Sequence, residues 1–323
     1  MKLNVAIVGS NFGLRGYLPV IDKIKKLNLR VICSRNIKKL SDEISLKNVI
    51  LEENWKKVFK NNIDLIILAV PPEIQEKILL YNVKFKKKIF FEKPISTNFY
   101  TSEKIINIYK KKGIKSEINL TYLNHDLFKE LKLLIKKELL GKILNYKINW
   151  SVNSYDFWNG LESWKTDEKK GGGLKNIFLT HILSYCEFLF GEYTIEKKKI
   201  KKSTNFIKGY KTDFFLNFIG SNRIKGTIRL YLKKLGFQNH EIIINFEKGC
   251  VKLFTKSQDW TKDFVLEISK KKKKQTIKTM KKSIFRDGRC LQIKNGIESF
   301  LKSKSSKNLY YCLNAEKKIN LIH

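Results

Sequence analysis

A turn rich in small residues follows the first apolar segment of the chain. The sequence Val8-Gly9-Ser10-Asn11-Phe12-Gly13 stands between a strand pattern and a helix pattern. Small residues there let the backbone turn tightly, so that a pyrophosphate can reach the free N–H groups at the helix start. The full three-glycine fingerprint is not met, because Asn11 holds the second position and Leu14 the third. Dinucleotide binding and a doubly wound domain without a dinucleotide both remain open. The candidate cofactor-binding residues are Gly9, Ser10, Asn11, Phe12 and Gly13.

A hydroxyl and a guanidinium end the second apolar segment, at Ser34 and Arg35. NAD-binding domains carry an acidic residue about 20 positions after the glycine turn, where it binds the ribose 2′-hydroxyl. Serine and arginine suit a 2′-phosphate better, because the guanidinium pairs with an anion. We therefore expect NADP to be slightly favoured over NAD. The alternative is an exposed arginine on a loop.

Two later segments follow strand patterns at their carboxyl ends, where open parallel sheets bind ligands. The first contains Val70 and Pro71, and the second contains Glu92 and Lys93 followed by proline. Lysine is so abundant in this chain that its location, more than its identity, makes Lys93 a candidate. We expect these four residues to border the same cofactor site.

A run of three glycines, Gly171–Gly173, precedes an apolar helix pattern that carries His181. An imidazole can exchange a proton near neutral pH, so His181 is a candidate general acid or base. A flexible loop and a histidine inside a core helix are the alternatives. Just before the glycines, Trp164 and Lys165 lie in a polar segment. Its aromatic faces could stack on a sugar ring or cover a seam between domains.

The elements that position these residues follow two different periods. Over residues 1–120, short apolar runs alternate with helical spacing, as at 14–27 and 98–112, which predicts βαβ units and a parallel sheet. Over residues 121–323 strict alternation appears, for example at 142–153 and 223–232, which predicts a large open, mostly antiparallel sheet. The predicted fold class is α/β, with a Rossmann doubly wound parallel sheet followed by an α+β domain.

The formal net charge is +36, from 66 basic and 30 acidic residues. Only seven of the basic residues are arginines, so the excess of positive charge is almost all lysine. An AT-rich genome would produce this bias in a protein of any fold. The densest run, Lys270–Lys274 with Lys278, Lys281 and Lys282, lacks aromatics and favours a solvated loop. Charge alone supports a nucleic-acid partner weakly, and we expect none; a selected polyanion surface is the alternative.

The five cysteines are widely spaced and form no CxxC pair, which predicts neither a zinc site nor a disulfide framework. No apolar run approaches the ~18 residues of a membrane span, and the N-terminus lacks a signal-peptide layout. We therefore expect a cytoplasmic protein without a membrane partner and without a metal.

The chain resembles the glucose–fructose oxidoreductase/inositol dehydrogenase (Gfo/Idh/MocA) family. The resemblance rests on four motifs in this order: VGSNFGLRGYLP, AVPP, FFEKP, and GGG with a histidine eight residues later. The resemblance covers essentially the whole chain. It implies that Lys93 lies beside the nicotinamide and the substrate oxygen, with a cis peptide bond as a candidate before Pro94. It also implies a substrate-side role for His181 and a homo-oligomer, a dimer or tetramer formed through the open sheet face.

Two positions depart from the family pattern. Many members carry an aspartate four residues before the histidine, where this chain has Ile177, and an arginine after the tyrosine, where it has Leu123. Tyr122 stays a weak candidate for the substrate pocket, and His125 reads as a helix-start residue. The expected function is an NAD(P)-dependent oxidoreductase that moves a hydride to or from a sugar, cyclitol or sugar derivative. The alternative is a catalytically altered, cofactor-binding sensor or assembly protein.

Overall fold

The computed structural model describes residues 2–36, 48–202, 211–220, 223–233, 238–259, 261–270, 273–279, 283–303 and 307–322. The chain divides into two compact units, which we call the first unit and the second unit. The first unit comprises Met1–Leu120, Lys169–Gly171 and Arg289–Glu316, and the second comprises Thr121–Glu168, Gly172–Gly288 and Lys317–His323.

The first unit is built on a sheet whose six described strands are all parallel. Its order, β3-β2-β1-β4-β5-β6, brings β1 and β4 side by side at the point where the winding reverses. The near-continuous apolar sequence of the strands explains their burial, and every residue of β4 is buried. The strands are β1 (Leu3–Val8), β2 (Leu27–Cys33), β3 (Ile50–Glu52), β4 (Leu65–Leu68), β5 (Lys88–Glu92) and β6 (Ser116–Asn119).

The first helix is shorter than its sequence pattern predicts. The predicted helical segment runs over 14–27, whereas helical structure covers residues 11–21, and its last part is α1 (Leu18–Ile21). Ile24 lies in the turn region after α1, and Leu27 is the first residue of β2. Both are buried, so their spacing in the sequence looks like the continuation of the helix. The other helices of this unit are α2 (Trp55–Val58), α3 (Pro72–Asn82), α4 (Phe99–Lys112), α8 (Arg289–Lys302) and most of α9 (Asn308–Asn320).

The second unit contains a sheet of eight strands among its described residues, in the order β14-β13-β12-β11-β7-β10-β9-β8. Neighbouring strands are antiparallel except β7 and β10, which run parallel. The period-two prediction is confirmed in β10, where Ile228, Leu230 and Leu232 are buried and alternate with more exposed residues. The strands are β7 (Ile143–Val152), β8 (Tyr193–Lys202), β9 (Lys211–Gly220), β10 (Lys225–Leu232), β11 (Asn239–Phe246), β12 (Gly249–Thr255), β13 (Val265–Lys270) and β14 (Lys273–Thr279).

Among the described residues, three α-helices lie within the second unit and bury apolar side chains. The helix Thr180–Phe190 carries ten buried residues over its eleven positions, which explains why most of its sequence is apolar. The helices are α5 (Asp126–Lys136), α6 (Tyr155–Trp158) and α7 (Thr180–Phe190). No helix among the described residues is both long enough and apolar enough to cross a membrane.

Two sequence interpretations differ from the structure here. The second domain was expected to run from 121 to 323, but Arg289–Glu316 group with the first unit, where Phe300 packs against Phe90 of β5. The solvated-loop interpretation is wrong for 273–278, because these residues form part of the edge strand β14 paired with β13. Lys271, Lys272, Lys281 and Lys282 lie outside the described residues.

Candidate functional site

Gly9 closes the turn at the carboxyl end of β1. Its φ of +107° is one that side-chain-bearing residues rarely adopt, and an added Cβ would lie 2.2 Å from the carbonyl oxygen of Ala69. The backbone of β1 therefore passes directly against the residue that follows β4. Because β1 and β4 meet where the winding reverses, the turn stands at the crevice where doubly wound sheets bind ligands.

Gly13 lets the helix after this turn approach the sheet. A Cβ at Gly13 would lie 2.8 Å from Cγ2 of Ile7, so only glycine allows this spacing without a shift. In the dinucleotide fingerprint the third glycine has this packing role. The chain thus meets that requirement with Gly13, although Leu14 holds the position expected for the third glycine. The helix between Gly13 and Tyr17 is a π-helix, a form that is frequent at functional sites.

Ser34 follows β2 at the same edge of the sheet. Its hydroxyl donates a hydrogen bond of 2.8 Å to the hydroxyl of Ser10, so the turn after β1 and the end of β2 are joined. The next residue, Arg35, is exposed. The structure therefore brings Ser10 and Ser34 together and places Arg35 next to them in the chain, in the part of the sheet where a ribose would be recognised.

Lys93 lies in a turn after β5 that is held from both sides by one side chain. The amide of Gln75, on α3, donates hydrogen bonds to the carbonyl oxygens of Glu92 at 2.7 Å, Pro94 at 2.8 Å and Ile95 at 3.1 Å. The Gln75 carbonyl oxygen accepts a hydrogen bond from the N–H of Glu92 at 3.2 Å. Gln75 is 1% exposed. This clamp fixes the backbone on which the Lys93 ammonium is carried.

The peptide bond between Lys93 and Pro94 is cis, which confirms the expectation taken from the resemblance. Val70 and Pro71 follow the neighbouring strand β4, and Pro71 immediately precedes α3. The helix that carries Gln75 therefore begins beside the candidate cofactor residues Val70 and Pro71.

Glu92 carries a carboxylate that interacts with four residues of the first unit. It accepts hydrogen bonds from the hydroxyl of Tyr17 and from the side-chain amide of Asn119, the latter at 2.8 Å. Burial raises the pKa of Glu92, while these two bonds and the charges of Lys93 and Arg289 act in the opposite direction. The carboxylate is thus tied into a network and lies in the field of the Lys93 ammonium.

In the second unit, His181 lies in the first turn of α7, directly after a π-helix over Lys175–Leu179. His181 is 8% exposed, and its ring meets the ring of Tyr122 edge to face, with centroids 5.3 Å apart. Tyr122 is 2% exposed and also packs against Trp150. The structure thus brings two of the predicted substrate residues, Tyr122 and His181, into direct contact.

Two other histidines of this unit have structural partners. His125 caps α5 by accepting a hydrogen bond from the N–H of Leu127 at 3.2 Å, which confirms its prediction as a helix-start residue. His240 stacks on Trp150, with centroids 4.2 Å apart. Burial lowers the pKa of His125 to about 4 and that of His240 to about 3, so both are neutral near pH 7.

The glycines before His181 form a tightly packed segment. A Cβ at Gly172 would lie 1.9 Å from the carbonyl oxygen of Trp164, and the N–H of Gly173 donates to the carbonyl of Lys165 at 2.7 Å. The alternative of a flexible loop is therefore not what the structure shows. Lys165 itself is exposed and pairs with Asp156 at 2.9 Å. Trp164 and Lys165 are thus tied through their backbones to the glycines ahead of His181.

Comparisons with protein families decide which family this architecture represents. Residues 3–119 match the family model described as "Oxidoreductase family, NAD-binding Rossmann fold". Residues 132–299 match the model described as "Oxidoreductase family, C-terminal alpha/beta domain". The chain belongs to the Gfo/Idh/MocA oxidoreductase family.

Curated relatives in this family are distant. The chain is 20% identical over 193 residues to an uncharacterized oxidoreductase from Synechocystis, covering 59% of this chain and 52% of that protein. It is 20% identical over 153 residues to an uncharacterized oxidoreductase from Schizosaccharomyces pombe, covering 47% of this chain and 41% of that protein. The chain thus spans about half the length of the curated relatives it matches.

Solved structures of similar fold include a 3-ketoreductase from Actinomadura kijaniata in complex with NADP and TDP-benzene. Its TM-score is 0.80 at 11% identity, covering 99% of this chain and 96% of that chain. An oxidoreductase from Agrobacterium radiobacter in complex with NAD+, L-tartaric acid and magnesium gives 0.80 at 14% identity, covering 99% and 95%. A dehydrogenase from Clostridium difficile gives 0.80 at 14% identity, covering 100% and 99%. At these identities the likeness establishes the fold.

The first unit of this Gfo/Idh/MocA family member fits a nicotinamide dinucleotide. The fit rests on Gly9, whose missing Cβ allows the close approach of β1 and β4, and on Gly13, which performs the packing role of the fingerprint. A helical run starts directly after the turn at residue 11, and the first N–H groups of a helix have no intrahelical partner. The residues that would hold the dinucleotide are therefore those of the turn, together with Ser34, Val70 and Pro71.

Sequence reasoning missed several residues of this family member's site. Gln75, Tyr17 and Asn119 were not among the candidate residues, although all three bond to the segment around Lys93. A polar residue that stands among the apolar positions of a helix pattern is the signal that could have pointed to Gln75, because a buried polar group needs hydrogen-bond partners. No comparable signal marks Tyr17, because an aromatic residue in an apolar helix reads as core.

Proposed function

We propose that this chain is an NAD(P)-dependent oxidoreductase that transfers a hydride to or from a hydroxyl or carbonyl carbon of a sugar, cyclitol or sugar derivative. One observation carries the proposal: Lys93 stands on a clamped turn at the carboxyl end of β5, within the unit that matches the NAD-binding Rossmann model. The ligands bound in two structures of similar fold, TDP-benzene and L-tartaric acid, support a polar, oxygen-rich substrate.

A bound nicotinamide would supply the hydride acceptor or donor. In this proposal the ammonium of Lys93 binds the substrate oxygen and stabilises the negative charge that develops there. The clamp from Gln75 holds the turn, so that the ammonium is positioned before the substrate binds. Since the carboxylate of Glu92 lies next to Lys93 in the chain, its charge favours the protonated form of the lysine.

His181 is proposed to exchange a proton with the substrate. Its ring is held edge to face by Tyr122 and is 8% exposed, which restricts its orientations. The position four residues earlier is Ile177, which is 9% exposed and carries no titratable group. The proposal therefore assigns the proton transfer to the imidazole of His181 itself, because the side chain of Ile177 cannot exchange a proton.

The decisive experiment combines cofactor binding with turnover. Titrations with NADPH and NADH would be followed by assays on a panel of sugars and polyols with the wild type and with Lys93→Ala. We expect the variant to bind cofactor as the wild type does and to lose at least about 100-fold in turnover. Lys88→Ala, at the other end of β5, is the matched control and should keep its activity. An active Lys93→Ala enzyme would refute the role of Lys93.

A second candidate function is favoured by the two departures from the family pattern. Leu123 is 5% exposed and Ile177 is 9% exposed, so both are apolar, buried residues at positions where relatives carry charged groups. A cofactor-binding sensor or assembly protein of this fold needs no proton transfer. Tight NAD(P) binding without turnover on the whole panel would favour this candidate over the enzyme.

We also propose that the open face of the second unit's sheet binds a second copy of this chain. That face combines ion pairs, such as Lys252 with Glu241 at 2.5 Å, with exposed apolar side chains such as Phe215, which is 41% exposed. Mass measurement in solution tests this proposal. A dimer or tetramer in the wild type that dissociates in Phe215→Glu is expected, and a monomeric wild type would overturn it.

A further inference from the structure

The turn that carries Lys93 is held by a second side chain, from the C-terminal helix α9. The carboxylate of Glu316 accepts a hydrogen bond of 2.7 Å from the N–H of Ile95, two residues after Lys93. Glu316 is 7% exposed, and the thiol of Cys312, one helical turn earlier, donates to the same oxygen at 3.6 Å. A buried carboxylate of this kind costs free energy unless hydrogen bonds and an opposite charge compensate it.

The charged and titratable groups around Glu316 come from three elements. The turn after β5 contributes Lys93, α9 contributes Cys312, and β6 contributes Glu117, which acts on Cys312. Burial raises the pKa of Glu316 to about 7, while hydrogen bonds from Ser102 and Ile95 and the charge of Lys93 act in the opposite direction. Lys93 contributes a positive charge that favours the ionised form of this carboxylate.

We propose that Glu316 is the positioning residue and the electrostatic partner of Lys93, supplied to the site by the C-terminal helix. Through the Ile95 N–H it fixes the far side of the turn that Gln75 clamps from α3. Through its charge it favours the ammonium form of the lysine. The inference rests on the proposed function, in which Lys93 binds the substrate oxygen, but its test needs neither cofactor nor substrate.

The partnership has a defined dependence on pH. A carboxyl group with a pKa of about 7 is ionised above that pH and neutral below it. Above pH 7 the ionised Glu316 attracts the Lys93 ammonium, so the lysine holds its proton to higher pH. Removing the charge of Glu316 should therefore make the Lys93 amine available as a nucleophile at lower pH.

The experiment measures the rate at which an amine-reactive reagent labels Lys93, followed by peptide mass spectrometry, as a function of pH in the full chain. Glu316→Gln removes the charge and keeps an acceptor for the Ile95 N–H. We expect it to lower the pH midpoint of Lys93 labelling by about one unit. Glu298→Gln is the charge-matched control, because Glu298 pairs with Lys294 on α8, and its midpoint should equal that of the wild type. An unchanged midpoint in folded Glu316→Gln overturns the proposal.

A second measurement keeps the test decisive if Glu316→Gln folds poorly. The Ile95 amide in ¹⁵N-labelled protein should show a titration near pH 7, because it binds the Glu316 carboxylate. In Lys93→Ala the midpoint of that titration should rise, since the ammonium that favours the ionised carboxylate is gone. A midpoint that is the same in both proteins means that the two residues do not interact and overturns the proposal. Failure of the proposed function would show instead as absent NAD(P) binding or turnover, and the labelling result would stand.

Discussion

The hydroxyl of Tyr17 donates a hydrogen bond to the carboxylate of Glu92, which joins the helix after β1 to the end of β5. Tyr17 is fully buried, and burial together with the charge of Glu92 raises its pKa, so it stays a neutral donor. The bond links the two segments that the proposed cofactor touches, the glycine turn and the Lys93 turn. A change at Tyr17 should therefore be felt at both.

We predict that Tyr17→Phe lowers the free energy of unfolding by about 1.5–3 kcal/mol, the range for a hydrogen bond to a charged group. Urea unfolding at pH 7 measures it. Tyr109→Phe removes another buried hydroxyl of the same unit, which donates to the carbonyl of Leu79 at 2.8 Å, a neutral acceptor. This control should cost less, and equal losses in the two variants would contradict a charged Glu92.

Gly9→Ala should both destabilise the chain and abolish cofactor binding. Its Cβ would lie 2.2 Å from the Ala69 carbonyl oxygen, so β1 and β4 must move apart. Gly113→Ala is the matched control: its φ is +64°, but nothing lies within 4 Å of the added Cβ. We expect the control to lose about 1 kcal/mol from its backbone conformation alone and to bind NADPH normally. Thermal unfolding with and without NADPH measures both effects, and equal behaviour of the variants would contradict the prediction.

Gln75→Leu should reduce turnover more than it reduces cofactor affinity, because it releases the Lys93 turn and leaves the glycine turn intact. Asn82→Leu provides the control at the other end of α3. The Asn82 amide donates to the Lys87 carbonyl at 3.0 Å and accepts from the Lys87 N–H at 3.0 Å, so a comparable clamp is lost there. Both variants should lose about 1–3 kcal/mol of stability. The role of Gln75 requires a fall in kcat for Gln75→Leu alone.

Arg35→Ala should weaken NADPH binding about tenfold while changing NADH binding little, because the guanidinium would pair with the 2′-phosphate. Arg30→Ala, which removes an equally exposed arginine from β2, is the control for net charge. Fluorescence titrations with both cofactors measure the ratio of the dissociation constants. An unchanged ratio in Arg35→Ala would remove the expectation that NADP is favoured.

Glu316→Gln should change the pH dependence of stability. The folded-state pKa of Glu316, about 7, lies above the ordinary value of 4.5, so its stabilising contribution is present below pH 4.5 and is lost as the pH rises through 7. The glutamine variant lacks this loss. Relative to the wild type it should gain stability between pH 5 and pH 8, by at most about 3 kcal/mol. Urea unfolding at pH 5 and at pH 8 measures the difference in stability between the variant and the wild type. A difference that favours the variant more at pH 5 than at pH 8 would contradict the prediction.

The sequence patterns predicted the fold because both periods are written locally. The apolar strands of the first unit and the alternation in β10 depend on neighbouring residues, and these predictions are confirmed. In β7 the alternation holds over residues 145–150, but Leu144 is exposed and Ser151 is buried. The three-residue strand β3 was missed, because Ile50–Glu52 is too short to show a period. The grouping of 289–316 with the first unit was missed for a different reason: the partner residues are far apart in the chain.

The candidate site divides in the same way. Gly9 and the Lys93 turn were found because their types and their place after strands follow general rules. The hydrogen bond between Ile95 and Glu316 was not found, because it spans 221 positions and has no local signature. The packing role of Gly13, which replaces the third glycine of the fingerprint, was likewise not predicted. It depends on contact with Ile7, which only the assembled sheet shows.

The placement of α8 and the first part of α9 in the first unit bears on biosynthesis. A ribosome makes Met1–Leu120 well before Glu316, so the newly made Rossmann segment has its lysine turn held by Gln75 but not yet by Glu316. A chain that ended before α9 would still carry every motif recognised in the sequence, but it would lack the Glu316 carboxylate that holds the turn of Lys93.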